Sequence, residues 1–99
     1  MSRDPHVSAV TLTAASSDTK RTGLLGYVRF ILAGIVLVDA VALRRTLDGR
    51  LTLSWPERRD RAGIAHPILR PVNDGARRIL EAAVFDALGI TPAEARDVP

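Results

Sequence analysis

The sequence predicts an α+β fold, in which a small antiparallel sheet of four to five strands packs against one main C-terminal amphipathic helix. Two observations predict it: short apolar segments separated by turn-forming residues fill the chain up to Pro56, and one run with helical spacing follows Pro71. The length of 99 residues leaves room for a single domain, with an expected ordered core at about residues 7–90. A hydrophobic content of 46% and a charged content of 25% are typical of a globular chain.

A first predicted strand and a polar connector precede a hairpin of the second and third strands. Residues 7–12 alternate apolar with small or polar side chains, and residues 24–32 are apolar and β-favouring. Between them, residues 14–22 are rich in serine, threonine and charge, which favours a connector. Ala33 and Gly34 mark the turn that leads into a third strand.

The third strand, residues 35–45, is apolar on both faces. Strict alternation places Leu37, Val41 and Leu43 on one face and Val38 and Ala42 on the other. Burial on both faces requires a central position in the sheet, or a helix on one side and a partner on the other.

A fourth strand and a charged loop follow. Asp48-Gly49 is a turn signal, residues 51–55 alternate as a strand, and Pro56 ends that strand. For Trp55, packing on the core and stacking beside a basic finger are both open, and the alternation favours packing. Residues 57–63 predict a charged loop, and a proline confines residues 64–68 to a sheet edge or an extended connector.

The clearest element is the C-terminal helix. Its apolar stripe recurs at helical spacing in Ala76, Ile79, Leu80, Ala83, Val84, Ala87 and Leu88. Asn73 or Asp74 is expected to cap its start, and Gly89 is expected to end it. Two alternatives are open for residues 91–94: Thr91 and Pro92 start one further short helical turn, or the chain end frays.

Composition argues against several classes of protein. There is no cysteine, which excludes a disulfide framework and a thiolate zinc site. The polar start predicts no signal peptide, and the most apolar stretch is too short for a membrane helix. Only His6 and His66 could act as imidazole ligands or bases, and His66 is expected to be a structural histidine bonded to backbone. We therefore expect no enzyme activity, metal, cofactor or small-molecule substrate.

Basic charge is concentrated in the middle of the chain. The whole chain carries +3, whereas residues 44–78 hold nine arginines against four carboxylates, for +5. The charged loop contributes Arg58, Arg59 and Arg61, which form either a self-neutralising surface or a basic finger. Such a finger suits the phosphates of a nucleic acid.

Two further arginines stand at the start of the helix. Arg77 and Arg78 lie near its positive end, where free backbone amides and cations together form an anion site. The alternative interpretation pairs Arg77 with Glu81 at i,i+4 and leaves Arg78 solvated.

The order of these pieces resembles the SpoVG family of bacterial septation and sporulation regulators. The resemblance covers roughly residues 7–88 and rests on the apolar strand with Asp39, the turn with Gly49, the strand ending at Pro56, the arginine loop, the string Ile-Ala-His-Pro-Ile at residues 64–68, and one helix. The string at 64–68 is the most specific match.

The resemblance implies a function that composition alone does not give. It implies a homodimer formed through the sheet that binds DNA, and RNA as a further ligand, as a cytoplasmic regulator in septation or sporulation. In this interpretation Arg58, Arg59 and Arg61 correspond to the family's nucleic-acid-contacting loop, and Arg77 and Arg78 are added from the helix-end argument. The alternative is a protein-interaction module in cell division or development that does not bind nucleic acid directly.

Overall fold

A computed structural model describes residues 5–90 of the chain. The elements in order are β1 (Val7–Ala14), α1 (Ser17–Lys20), β2 (Leu24–Leu32), β3 (Val36–Arg45), β4 (Leu51–Ser54), β5 (Glu57–Arg59), β6 (Ala65–Pro67) and α2 (Asp74–Leu88). Strands β1 to β4 form an antiparallel sheet in sequence order, and β5 pairs with β6 in a separate two-stranded sheet. The predicted α+β fold with one main C-terminal helix is confirmed.

Two predicted loops contain regular structure. In the polar connector, Ser16 caps the one-turn helix α1 by accepting a hydrogen bond from the Thr19 amide at 3.2 Å. In the charged loop, Glu57–Arg59 is a strand that pairs with Ala65–Pro67. The prediction of a loop throughout residues 57–63 was therefore wrong, whereas the edge position predicted for residues 64–68 is confirmed by β6. The chain reverses direction at Asp60. The alternation of apolar and polar side chains does not reveal this turn.

A β-bulge in β3 changes which residues face the core. Val41 pairs with Val28 and Val38 pairs with Phe30, so β3 has one residue more than β2 between these pairs. Ala40, in the extra stretch, adopts a positive φ of 59°. Val38 and Val41 consequently lie on the same face, and both are almost fully buried. The strict alternation expected for this strand was wrong at this point.

The hydrophobic core lies between one face of the four-stranded sheet and α2. Val28, Phe30 and Leu43 from the central strands are within 2% of complete burial, and Val84 and Phe85 of the helix pack with them. Strand β3 has the predicted central position, but helix α2 covers only one sheet face. Leu37 on the opposite face is 52% exposed, so the expected burial of both faces was wrong within residues 5–90.

Local signals set both ends of α2 as predicted. The Asn73 side chain accepts a hydrogen bond from the Ala76 amide at 2.8 Å, which identifies Asn73 rather than Asp74 as the N-cap. At the other end Gly89 has a φ of 71°, and its amide and that of Ile90 donate to Asp86 and Phe85 carbonyls in a Schellman motif. The further turn predicted at residues 91–94 lies outside the described residues.

Candidate nucleic-acid interface

The arginine-rich segment forms a hairpin that extends from the body of the protein. Strands β5 and β6 pack mainly against each other, whereas α2 packs mainly against β1. The base of the hairpin is closed by the Pro56 carbonyl, which accepts a hydrogen bond from the Ile68 amide at 3.0 Å. All residues from Glu57 to Ile68 are exposed. Side chains on this hairpin can therefore reach a large partner.

Asp60 organises the turn of the hairpin. Its Oδ1 accepts hydrogen bonds from the amides of Ala62 at 2.9 Å and Ile64 at 3.0 Å, and its Oδ2 lies 2.8 Å from His66 Nε2. The hydrogen bond to His66, followed by the one from the Ile64 amide, lowers the pKa of Asp60 below its usual range. Gly63 completes the turn with a φ of 81° and donates its amide to the Asp60 carbonyl at 3.0 Å.

The three loop arginines differ in how firmly they are held. Arg59 donates from Nη1 to the Gly63 carbonyl at 3.0 Å and has Glu57 Oε1 at 3.8 Å. Within residues 5–90, Arg58 and Arg61 make no ion pair with a carboxylate. Arg58 and Arg61 are therefore the hairpin cations that are available to an anionic ligand, and Arg59 also holds the turn together.

The helix arginines are engaged with neighbouring carboxylates. Arg77 donates to Asp74 Oδ1 at 2.8 Å and to Glu81 Oε1 at 2.9 Å, and Arg78 donates to Asp74 Oδ2 at 2.8 Å. Hydrogen bonds from Arg77 and then Arg78 lower the pKa of Asp74, and the hydrogen bond to Asp74 raises the pKa of Arg77. The predicted i,i+4 pair of Arg77 with Glu81 is confirmed, whereas the expectation that Arg78 is only solvated was wrong, because Arg78 pairs with Asp74. Arg78, 73% exposed at its side chain, is the more accessible of the two arginines.

Glu81 links this cluster to the sheet, and sequence reasoning missed its role. It is the one buried charged residue among those described, with 8% exposure. Its Oε2 accepts from the backbone amide of Leu53 at 2.9 Å and from Thr52 Oγ1 at 3.0 Å, so it satisfies one backbone amide on the outer edge of β4. The Arg77 guanidinium therefore supports helix-to-sheet packing as well as lying at the helix start.

A cleft of about 520 Å³ lies between β4 and α2. Its cationic lining consists of Arg50, Arg77 and Arg78. Each of these guanidinium groups already has a carboxylate within 3.2 Å, on Asp48, Asp74 or Glu81. The cleft is therefore close to neutral in its fixed charges, and the hairpin is the stronger candidate for phosphate contact.

His66 and Trp55 both have structural surroundings. The expected backbone partner of His66 was wrong, because its ring nitrogen bonds the Asp60 carboxylate across the hairpin. Trp55 packs on the core and meets Phe30 edge-on, with ring centroids 6.3 Å apart, so the packing interpretation is confirmed. Phe30 thereby joins the base of the hairpin to the centre of the sheet.

The open sheet face carries polar and aromatic residues that the charge pattern did not reveal. Val28 and Phe30 point into the core, so Tyr27 and Arg29 of β2 lie on the opposite, uncovered face. Arg44 of β3 lies there too, because Leu43 beside it is buried. Alternation along the well-predicted strand β2 was a signal that could have identified Tyr27 and Arg29.

Two further findings concern metal ligands and membrane-length helices within the described residues. No group of three or more histidine, cysteine, aspartate or glutamate side chains in residues 5–90 is placed to hold a metal ion. In the same range, no helix has the length and apolar character needed to cross a membrane.

Comparison with known proteins assigns no family to this chain. No protein-family model matches it, and no curated protein matches its sequence. The resemblance to the SpoVG family therefore stays a prediction, and the candidate interface stands on its own geometry.

Proposed function

We propose that this protein is a dimeric nucleic-acid-binding regulator that contacts phosphates through its arginine hairpin. The observation that carries the proposal is the pair Arg58 and Arg61, which are exposed on an extended hairpin and make no carboxylate ion pair within residues 5–90. The regularly spaced phosphates of a nucleic acid can neutralise both of these cations. DNA is the first expected ligand and RNA the second, and a regulator of this kind acts in the cytoplasm.

The other candidate arginines are expected to contribute to binding to different extents. Arg59 contacts phosphate only with the part of its guanidinium that does not bond Gly63. Arg78 extends the surface from the helix, while Arg77 is held by two carboxylates and serves chiefly to position Glu81. With so few available cations, we expect weak, strongly salt-dependent binding, with a Kd of about 10⁻⁴ to 10⁻⁶ M for unspecific sequences.

Dimerisation through the sheet would supply the second set of contacts. The four-stranded sheet has β1 and β4 at its edges, and Glu81 occupies the Leu53 amide on the β4 edge. No strand in residues 5–90 pairs with the outer edge of β1. Pairing of two β1 edges about a two-fold axis would join the sheets and place two hairpins on one dimer. By the SpoVG resemblance, such a dimer would regulate septation or sporulation.

The experiment compares binding of the wild-type chain and an Arg58→Ala/Arg61→Ala variant to labelled duplex DNA and single-stranded RNA. Fluorescence anisotropy at two salt concentrations gives the affinity and its salt dependence. Removing two phosphate contacts should weaken duplex binding and reduce the slope of log K against log salt by about 1.8. Arg59 is left in place because its loss would also disturb the turn.

An Arg21→Ala/Arg50→Ala variant is the matched control. It removes the same charge from two exposed arginines that already pair with Asp18 and Asp48. It should bind nearly as well as the wild type. If both variants lost the same affinity for DNA, binding would depend on the net charge of the protein and not on the hairpin. If the wild type did not bind DNA or RNA at low salt, the proposal would be excluded.

One observation favours a second candidate function, a protein-interaction module. Ile64, Ile68 and Val72 are exposed by 58%, 67% and 89%, so the return side of the hairpin and the segment after it are apolar at the surface. A pull-down that recovers one stable protein partner, lost on Ile68→Lys and retained in the Arg58→Ala/Arg61→Ala variant, would support this candidate.

A further inference from the structure

The sheet face opposite α2 carries an aromatic side chain in a row of small residues. Backbone pairing aligns Thr13, Tyr27, Ala42 and Ser54 across the four strands. These side chains share one face because paired residues of an antiparallel sheet point the same way. Tyr27 is the one aromatic residue in the row and is 47% exposed. Its ring is therefore open to a flat ligand group.

Two arginines flank this row on opposite sides. Arg29 lies two residues beyond Tyr27 along β2, and Arg44 lies two residues beyond Ala42 along β3. Because β2 and β3 are antiparallel, these steps run in opposite directions, each by about 7 Å. Neither arginine makes an ion pair within residues 5–90, and both are exposed. Asp39 of β3 is also exposed, beside the buried Val38, so Arg29, Arg44 and Asp39 together carry a charge of +1.

The open face continues into the candidate interface on the hairpin. A cleft of about 570 Å³ runs from Ala42 and Arg44 across Trp55 to Glu57, the first residue of β5. A linear ligand held by Arg58 could therefore pass along this cleft and reach the Tyr27 row without crossing the core. The charged residues that line the cleft are Arg44 and Glu57, so Arg44 is the cation that a phosphate can contact along it.

We propose that the open sheet face binds single-stranded nucleic acid, with one base stacked on Tyr27 and phosphates on either side contacted by Arg29 and Arg44. This inference rests on the proposed function, and it names single-stranded nucleic acid as the ligand of the open sheet face. In a duplex the bases are already stacked on one another, whereas an unpaired base can lie on an aromatic ring. Stacking is tolerant of sequence because every base has a flat π-face.

The test measures binding of the full chain to a labelled single-stranded DNA of mixed sequence and to the same strand annealed to its complement. Tyr27→Ala should weaken single-strand binding about tenfold, since this is the usual effect of losing one stacked base. Tyr27→Phe keeps the ring and should bind as the wild type does. Neither variant should change duplex binding, which depends on the hairpin.

The contribution of Arg29 and Arg44 is measured by the salt dependence of single-strand binding. Arg29→Ala/Arg44→Ala should reduce the salt slope for the single strand by about 1.4, since each phosphate contact on a single strand contributes about 0.7. The Arg21→Ala/Arg50→Ala variant should leave that slope unchanged.

The outcomes separate this inference from the proposed function. If the wild type binds both probes and Tyr27→Ala keeps full single-strand affinity, stacking on this face is refuted while the hairpin proposal stands. If the wild type binds neither probe, both proposals fail. If Tyr27→Ala converts a dimer to a monomer by light scattering, a second copy of the chain covers this face and the inference is overturned.

Discussion

His66 Nε2 lies 2.8 Å from Asp60 Oδ2, which joins the two ends of the hairpin turn that presents the loop arginines. The same carboxylate holds two backbone amides through its other oxygen. The orientation of Arg61, which lies inside this turn, thus depends on one exposed aspartate. Loss of the Asp60 charge should therefore loosen the turn before it affects the core.

Titration of Asp60 should be visible at the amides that it binds. The hydrogen bond to His66 is the largest cause of its lowered pKa, so His66→Ala should raise the titration midpoint of the Ala62 and Ile64 amide signals in NMR spectra. A group with a lowered folded-state pKa stabilises the fold above its unfolded pKa. That stabilisation is lost as pH falls through the folded pKa. The turn should therefore lose order only at acid pH, below the usual aspartate range.

An Asp60→Asn variant is the control for this titration. It keeps an oxygen acceptor for the backbone amides but has no carboxylate to protonate. Its Ala62 and Ile64 signals should not titrate in the acid range. An unchanged midpoint in His66→Ala would contradict the role assigned to the Asp60–His66 contact.

Glu81 should be the most sensitive charged position in the fold. Glu81→Ala leaves the Leu53 amide and the Arg77 guanidinium without their partner, which should lower the free energy of unfolding by about 2–3 kcal/mol. Glu81→Gln keeps an acceptor for the amide and should cost about 1 kcal/mol. Urea unfolding followed by Trp55 fluorescence measures both changes.

Asp86 provides the comparison for Glu81. It is an exposed acid on the same helix, so Asp86→Ala should change stability by less than about 0.5 kcal/mol. If Glu81→Ala were as stable as Asp86→Ala, the link between α2 and the β4 edge would have no energetic importance.

The features that were predictable from sequence are those set by neighbouring residues. Asn73 and Gly89 bound α2 through contacts within a few residues, so their chemistry is readable along the chain. Glu81 bonds Thr52 from 29 positions away, and no local pattern indicates this contact. The helical periodicity of the sequence places Glu81 on the surface of the helix, where a carboxylate is usually solvated.

The bulge and the hairpin were missed for related reasons. Ala40 has a positive φ without being a glycine, so the residue type gives no signal for the break in alternation. The hairpin depends on Asp60 bonding His66, and the two become neighbours only when β5 and β6 pair. The candidate arginines themselves were visible because charge clustering is a property of the linear sequence.

Gly26 should be intolerant of any side chain. A Cβ at this position would lie 2.5 Å from the Thr13 carbonyl oxygen and 3.2 Å from Ala14 Cα, both in the backbone of β1. Gly26→Ala must therefore push β1 away from β2, and we expect a loss of about 1–3 kcal/mol in the free energy of unfolding. Thermal and urea unfolding measure the loss.

Gly75→Ala is the matched control for Gly26. Only the Asn73 side-chain oxygen, at 3.4 Å, comes near the added Cβ, and alanine favours the helix. This variant should be at least as stable as the wild type. Equal stability of Gly26→Ala and Gly75→Ala would show that β1 can shift away from β2 without cost.

Dimerisation through β1 makes a specific prediction for hydrogen exchange. Residues 11–14 are the regular half of β1, since the register shift and the positive φ of Ala9 lie between Ser8 and Thr11. Outward amides in residues 11–14 should therefore exchange slowly at high protein concentration and faster on dilution, in step with the mass measured by light scattering. The Leu53 amide, held by Glu81, should not depend on concentration. A monomer at all concentrations, or protection that changes at β4 instead, would rule out pairing through β1.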